Sequence, residues 1–510
     1  MGGSSDAAAG RVQVRWFKGL ALVRWLAPAR SGGPLGAAMG MLLGAVLALW
    51  AAGAGANPGT LPPEVRAALQ RARVPESALV AVVQEAGSGQ TLLSHQPRQP
   101  VNPASLAKLL TTYAALDLLG PAWTWGTPVA FGGPVRDGVL DGDLFIKGSG
   151  DPRLVHERLW QALRRVQQAG VREIRGDVVL DRSAFAPADS TPSDFDGEPW
   201  RPHNVQADAL LLNHHAAIWT FLPDTARGVA RVVADTDGPG GPERTVALAP
   251  GSCDDWRTGL RLQPAPAGEG GWRFGGVYPA ACGELAWPLA DPDPAGYGAR
   301  LVAALWRELG GRLQGRVRDG RMPAGLKPSF ELRSPPLAEV VRDINKFSNN
   351  VMAQQLFLTL ALQREPGQPA SAEAARQTLR RWVAERIGEP GPGEFVIDNG
   401  SGLSRQARVS AQWLAHLLQH AWSSPVMPEL LSSLPVNGLD GTMRRSRASA
   451  GRAHLKTGSL RDVAGLAGYV LADDGRRLVF VAIVHHPGAG AARAALDALV
   501  QWALRGAPAR

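Results

Sequence analysis

The sequence predicts an α/β (α+β) fold: one domain interrupted by a large insertion that forms one or two mainly β subdomains. Three observations predict it. The chain has 510 residues, 45% of them hydrophobic, which is ample for a core and too long for one ordinary domain. Strand-like runs occur near residue 80 and again between 453 and 484, with helical texture from 334 to 422 between them, so two distant stretches close one sheet. From about 128 to 325 the texture changes to short β-like runs separated by Gly/Pro/Asp clusters such as DGPGGPE and DPDPAGYG. The 60 glycines and 40 prolines have no period, which excludes collagen and simple repeats.

A formal charge of +9 invites a nucleic-acid reading. No dense basic run with interleaved aromatics supports one, and much of the excess sits in the first thirty residues, where Arg11, Arg15, Lys18, Arg24 and Arg30 face Asp6. Only six of the 54 basic residues are lysine, so a lysine in this chain asks for a reason.

Residues 1–56 read as a leader. After the basic flank, Leu35–Trp50 (LGAAMGMLLGAVLALW) is uncharged, and AAGAGAN places Ala54 and Ala56 at −3 and −1 of a cut before Asn57. Basic flank, short apolar run and small-residue exit describe an export signal to the periplasm. The competing reading is an uncleaved anchor, since the run is near the lower length for spanning.

Residues 57–127 form the first part of the interrupted domain: a helix over 61–73, a hairpin of Ala78–Val83 and Gln90–Ser94, and a helix from Leu106 to Leu119 opened by Asn102-Pro103 and closed by Gly120. The insertion, 128–325, carries strands at Val139–Ile146, Gly176–Leu180 and Val229–Ala234 and a helix at Leu154–Ala169. Its Cys253 and Cys282 suggest one disulfide in an oxidising compartment, or else two separate buried thiols. Residues 326–510 complete the domain. Two helices flank Phe347-Ser348-Asn349 within Ser334–Leu362, and helices follow at 371–387 and 410–422. Strands Ala453–Gly458, Ala464–Leu471 and Leu478–Val484 come next, then a helix over 490–504. The adjacent pairs His214-His215 and His485-His486 lack the i, i+4 spacing of helical metal ligands. No metal or cofactor is called for.

Three short motifs carry chemistry. Ser105 and Lys108 lie three apart at a helix start, on one face, and the helix N-terminus stabilises a developing anion. A serine hydroxyl needs a base beside it. A lysine serves only when neutral, which burial and a second cation promote; arginine does not deprotonate. Ser348-Asn349-Asn350 offers a hydroxyl that relays a proton and an amide that donates and accepts. Lys456-Thr457-Gly458 offers a cation and a hydroxyl for a carboxylate, with a glycine where a substrate backbone must approach the strand. The third motif arises by chance at only about 0.02 per such chain, so it is the specific one.

In this order, the three form the serine/lysine constellation of penicillin-recognising enzymes. The chain resembles the class C low-molecular-mass penicillin-binding proteins, the D-alanyl-D-alanine carboxypeptidase/endopeptidase family. DNGSGLSR (Asp398–Arg405), KTGSLRDVAGLAGYV (456–470) and the long gap between Ser105 and Ser348 carry the resemblance, which covers residues 60–505. Asn349 stands where the S-D-N form has aspartate, and Asn399 is inserted relative to D-G-S-G-L-S-R.

The resemblance implies a penicillin-binding/β-lactamase-like transpeptidase fold and a serine-type hydrolase acting on peptidoglycan stem peptides, with β-lactams as covalent inhibitors. It also implies roles. Ser105 attacks the carbonyl of the D-Ala-D-Ala bond and Lys108 takes its proton. Ser348, held by Lys456, passes that proton to the leaving amine, and Asn350 binds the acyl-side amide and Lys108. Backbone N–H groups of Ser105 and Ser459 form the oxyanion hole beside Gly458, and Thr457 holds the terminal carboxylate. Arg405 lies near the cleft mouth, or ties down a loop. Asp181, in VVLDRSAF, meets the free amine of the stem peptide, or caps a strand or turn. Two other functions compete: a serine β-lactamase, which shares the nucleophile and deacylates fast, and a non-catalytic wall-binding protein. The long insertion and DNGSGLSR disfavour the first and the three intact motifs the second.

Overall fold

The computed structural model describes residues 59–506, apart from 238–241, 267–268 and 449; the leader reading over 1–56 lies outside them. Five antiparallel strands form the sheet that joins the two ends of the sequence pattern, in the order Thr91–His95, Leu79–Glu85, Arg477–His485, Val463–Leu471 and Ala453–Leu460. Val80 opposes Ile483 and Val82 opposes Val481. Nearly every residue of the three inner strands is buried, because helices cover both faces, so these strands read as continuous apolar runs without alternation. Pro63–Arg71 and Arg493–Leu504 pack on one face around Leu69, Phe480 and Leu499. Ala107–Leu119 and Ala411–Trp422 lie in the core of the other, around Leu109, Val481 and Leu414.

That second core also takes in Leu337–Phe347, Asn350–Arg364 and Ala372–Arg386. Tyr113, at its centre, stacks edge-on against Trp382 and bonds to His420 Nδ1 at 2.7 Å. Ala453–Leu460 is the edge of the sheet; its start bonds outward to the 435–437 segment, Leu455 N to Pro435 O and Asn437 N to Ala453 O, and from Thr457 on it has no strand partner on that side among the described residues.

The insertion is rooted by Gly126–Phe131, which pairs antiparallel with Phe330–Arg333. Beyond that root the strands Leu144–Lys147, Val178–Asp181 and Val317–Asp319 run parallel, and parallel neighbours need crossovers. His156–Gln168 lies in the first crossover, and Pro294–Glu308 lies between the next two strands. The run read as one strand over Val139–Ile146 splits into Val139–Leu140 and Leu144–Lys147, in two different sheets, around Asp141-Gly142-Asp143. DPDPAGYG, read as a breaker, is instead a helix start: Asp293 caps it by accepting from Gly296 N at 3.1 Å, with Pro294 in the first turn. A separate six-stranded sheet spans 216–290 around Phe221, Tyr278 and Trp256, whose rings stack or meet edge-on. A disulfide joins Cys253 to Cys282 beside it.

Candidate active site

Ser105 sits in a single 3₁₀ turn, Ala104–Leu106, that runs into the Ala107–Leu119 helix. The turn is held by its flank. Asn102 accepts from Ala104 N and donates to Ser404 O, both at 2.8 Å. Ala104 takes φ +47°, a left-handed conformation that costs a non-glycine residue about 1 kcal/mol or more. Gly402, from DNGSGLSR, presses against it: a β-carbon there would lie 1.8 Å from Ala104 O.

Lys108 is fully buried. Its Nζ lies 3.0 Å from Ser105 Oγ, 2.6 Å from Asn350 Oδ1 and 2.5 Å from Ser401 O. Burial, and then the charge of Lys456, hold its ammonium well below the usual lysine range. A neutral amine has two N–H donors and one lone pair. Donating to the Asn350 and Ser401 oxygens leaves the lone pair for the Ser105 hydroxyl, the orientation a general base requires.

Ser348 ends the Leu337–Phe347 helix in a left-handed conformation, φ 56° and ψ 39°. The next residue, Asn349, starts the following helix by accepting from Met352 N at 3.0 Å. Asparagine and aspartate cap helices equally well, which accounts for asparagine in the middle of this motif. Asn350, in the first turn of that helix, reaches Lys108. Lys456, also fully buried, donates to Ser348 Oγ at 2.9 Å and Thr457 O at 2.8 Å. Burial pushes its ammonium down to about 7.

Gly458 has a nearer neighbour than a substrate. A β-carbon there would meet Pro103 O at 2.7 Å and Leu106 Cγ at 3.0 Å, so the glycine lets the edge strand close on the nucleophile turn. Thr457 Oγ1 donates to Thr442 Oγ1 at 2.8 Å, and exposed Ser459 accepts from Arg493 at 3.2 Å. Thus Ser105, Lys108 and Asn350 form one hydrogen-bonded set and Ser348 with Lys456 another, near enough for the charge of Lys456 to act on Lys108, and Thr457, Gly458 and Ser459 follow on the edge strand.

Arg405 lies on a cleft of about 450 Å³ beside Asn399 and Ser404. Its guanidinium lies 4.6 Å from the ring centre of Phe195, which the insertion supplies, and 3.5 Å from Asp462. Asp181 departs from the role the resemblance gave it. It is buried at a strand end, and its two carboxylate oxygens accept from Ser183 N and Met322 N, each at 2.9 Å. These bonds and the charge of Lys147 outweigh burial and keep its carboxyl below the usual range. The turn uses this carboxylate, so the amine-binding role is not carried forward.

Three participants escaped the motif search. Ser401 O is a backbone acceptor with no residue signature. Asn399 organises its loop, accepting from Ser401 N at 3.1 Å and Gly402 N at 3.2 Å and donating to Leu403 O at 2.8 Å, so the inserted residue has a structural task. Lys346 is buried and pairs with Asp440 at 2.6 Å, pinning the segment that presents Thr442; the scarcity of lysine was its only signal.

With this geometry in hand, the model of the D-Ala-D-Ala carboxypeptidase 3 (S13) family matches residues 62–505. The chain belongs to this family. It is a serine-type hydrolase of the kind that acts on peptidoglycan. The D-alanyl-D-alanine carboxypeptidase of Actinomadura sp. (strain R39) is 29% identical over 478 residues, covering 88% of this chain and 85% of the relative. D-alanyl-D-alanine carboxypeptidase DacB of Haemophilus influenzae is 23% identical over 395 residues, covering 75% and 80%. The fold matches the crystal structure of penicillin-binding protein 4 from H. influenzae with a TM-score of 0.70 at 21% identity, covering 86% of this chain and 99% of that one. A second structure of that protein, complexed with a β-lactam, matches with a TM-score of 0.66.

Burying Lys456 has a consequence for stability. Lys456 in the unfolded chain titrates near 10.4, against about 7 in place. Between those values the folded state binds fewer protons, so stability rises with pH across that window; below about 7 the full cost of burying the cation remains. Lys456→Met therefore raises the melting temperature at pH 7, by the equivalent of a few kcal/mol, while acylation is lost. The gain shrinks as pH approaches 10 in thermal melts; a gain independent of pH would contradict it.

Proposed function

We propose that this chain is an exported D-alanyl-D-alanine carboxypeptidase and endopeptidase working through an acyl-enzyme on Ser105. The observation that carries the reading is the buried Lys108 amine 3.0 Å from Ser105 Oγ and bound to Asn350. Neutral Lys108 removes the Ser105 proton as Oγ attacks the carbonyl carbon of the terminal D-Ala-D-Ala bond. The oxyanion rests on the backbone N–H groups of Ser105 and Ser459; one such donor typically lowers the barrier by about 3–4 kcal/mol. As the C–N bond breaks, Ser348, held by Lys456, delivers the proton to the departing amine. Water then releases the acyl group and restores Ser105.

The extended substrate docks along the free end of the edge strand, from Thr457 to Leu460, a common way to hold a peptide strand, with its carboxylate toward Thr457 and Arg405 at the mouth. A β-lactam presents its ring carbonyl to the same nucleophile, in keeping with the β-lactam complex of the H. influenzae relative. Among the described residues no carboxylate is hydrogen-bonded to Ser105, Lys108, Ser348 or Lys456. This favours slow release of a penicilloyl group over β-lactamase turnover. The test is D-alanine release from a diacetyl-Lys-D-Ala-D-Ala peptide. The wild-type chain releases it and Ser105→Ala does not; release by Ser105→Ala would give the nucleophile to another residue.

A further inference from the structure

The edge strand has two faces. Lys456 and Gly458 point at the nucleophile turn, and Thr457 and Ser459, alternating with them, point the other way. On that second face stands Arg493, at the start of the Arg493–Leu504 helix. Its Nη2 donates to Ser459 Oγ at 3.2 Å. The side chain is otherwise exposed and makes no ion pair among the described residues. Asp497, one turn along the same helix, accepts from Ser446 Oγ at 3.2 Å and feels the Arg493 charge without forming an ion pair with it.

Resting on the function proposed above, we infer that Arg493 is a specificity-determining residue: its guanidinium binds the carboxylate on the leaving-group side of the scissile bond, beside the Thr457 and Ser459 hydroxyls. A carboxylate held at this edge needs a charge as well as hydroxyls. Lys456 supplies it poorly, being buried and committed to Ser348 Oγ and Thr457 O. It also loses its proton near neutrality. Arginine is the side chain suited to binding a carboxylate through a planar fork of donors, and Arg493 has donors left after the bond to Ser459. It belongs to none of the three motifs and reaches Ser459 from the last helix, which covers the opposite face of the sheet from Lys108.

The inference separates substrates by one functional group. The full chain is assayed on diacetyl-Lys-D-Ala-D-Ala and on the same peptide with a C-terminal carboxamide. Arg493→Gln lowers kcat/KM on the carboxylate peptide about tenfold, mostly through KM, the scale of one charge-assisted contact at an exposed site. It leaves the carboxamide within about twofold, Arg493→Lys recovers part of the loss, and Arg461→Gln, removing a neighbouring exposed charge, changes neither. Equal losses on both peptides would make Arg493 a structural prop for Ser459 and overturn the inference, as would no loss on either. An equal loss in Arg461→Gln would reduce it to general charge. A wild-type chain acylated at Ser105 that hydrolyses both peptides equally sinks the inference alone; a chain never acylated at Ser105 sinks the proposed function with it.

Discussion

Replacing Lys108 by arginine abolishes acylation of Ser105 although the positive charge is kept. The Lys108 pocket is closed: Nζ already meets Ser105 Oγ, Asn350 Oδ1 and Ser401 O within 3.0 Å. Guanidinium is larger, stays protonated and has no lone pair to offer the hydroxyl. The expected loss in the second-order rate of labelling by a fluorescent penicillin is about 10²–10⁴-fold, the range for a removed general base. Circular dichroism on the variant separates lost chemistry from lost fold. Labelling at the wild-type rate would refute the proton-transfer role. A second expectation concerns direction. Removing Lys456 takes away one of the two influences that lower Lys108, so any residual acylation in Lys456→Met rises at higher pH than in the wild type.

The Gly402→Ala variant should be almost as damaging, for a steric reason. Gly402 has φ +78°, and a β-carbon there would lie 1.8 Å from Ala104 O and 3.1 Å from Ser105 N. Both neighbours are backbone, so no flexible side chain can move aside. Either the DNGSGLSR loop retreats, carrying Ser401 O away from Lys108, or the nucleophile turn shifts. Displacements of this size typically cost about 10²-fold in rate. Gly393 provides the control: it also has positive φ, +74°, with nothing within 4 Å of its would-be β-carbon. Gly393→Ala should cost about 1 kcal/mol of stability from backbone strain and leave acylation unchanged. Similar acylation rates in the two variants would show that the loop does not brace the nucleophile.

Much of this site was legible because its chemistry is written in side chains at short spacing. Ser105 with Lys108, Ser348 with Asn350, and Lys456 with Gly458 each sit within one turn or a few strand residues, so local geometry follows from sequence. The two-ended sheet was legible too, since its strands are long apolar runs buried on both faces. What could not be read is what spacing does not encode. The third acceptor on Lys108 is a carbonyl, which every residue has. Strain at Ala104 and Ser348, both left-handed without glycine, is set by what packs around them. The six-stranded sheet of the insertion joins short strands across long loops, and one of its pairings, 244–249 with 272–279, is parallel; neither trait leaves a local pattern. For Asp181 the sequence left two readings open, because a carboxylate that caps a turn looks in sequence like one that awaits a ligand; the structure shows it accepting from Ser183 N and Met322 N.

Mass spectrometry of the protein after brief exposure to penicillin, followed by peptide mapping, bears most directly on the central claim. A hydroxyl beside a buried amine whose ammonium is held well below the usual lysine range must become the acylated atom, so one penicilloyl group is expected per chain, on the peptide containing Ser105, absent from Lys108→Arg. An adduct on any other residue, or none at all in a folded chain, would contradict the account.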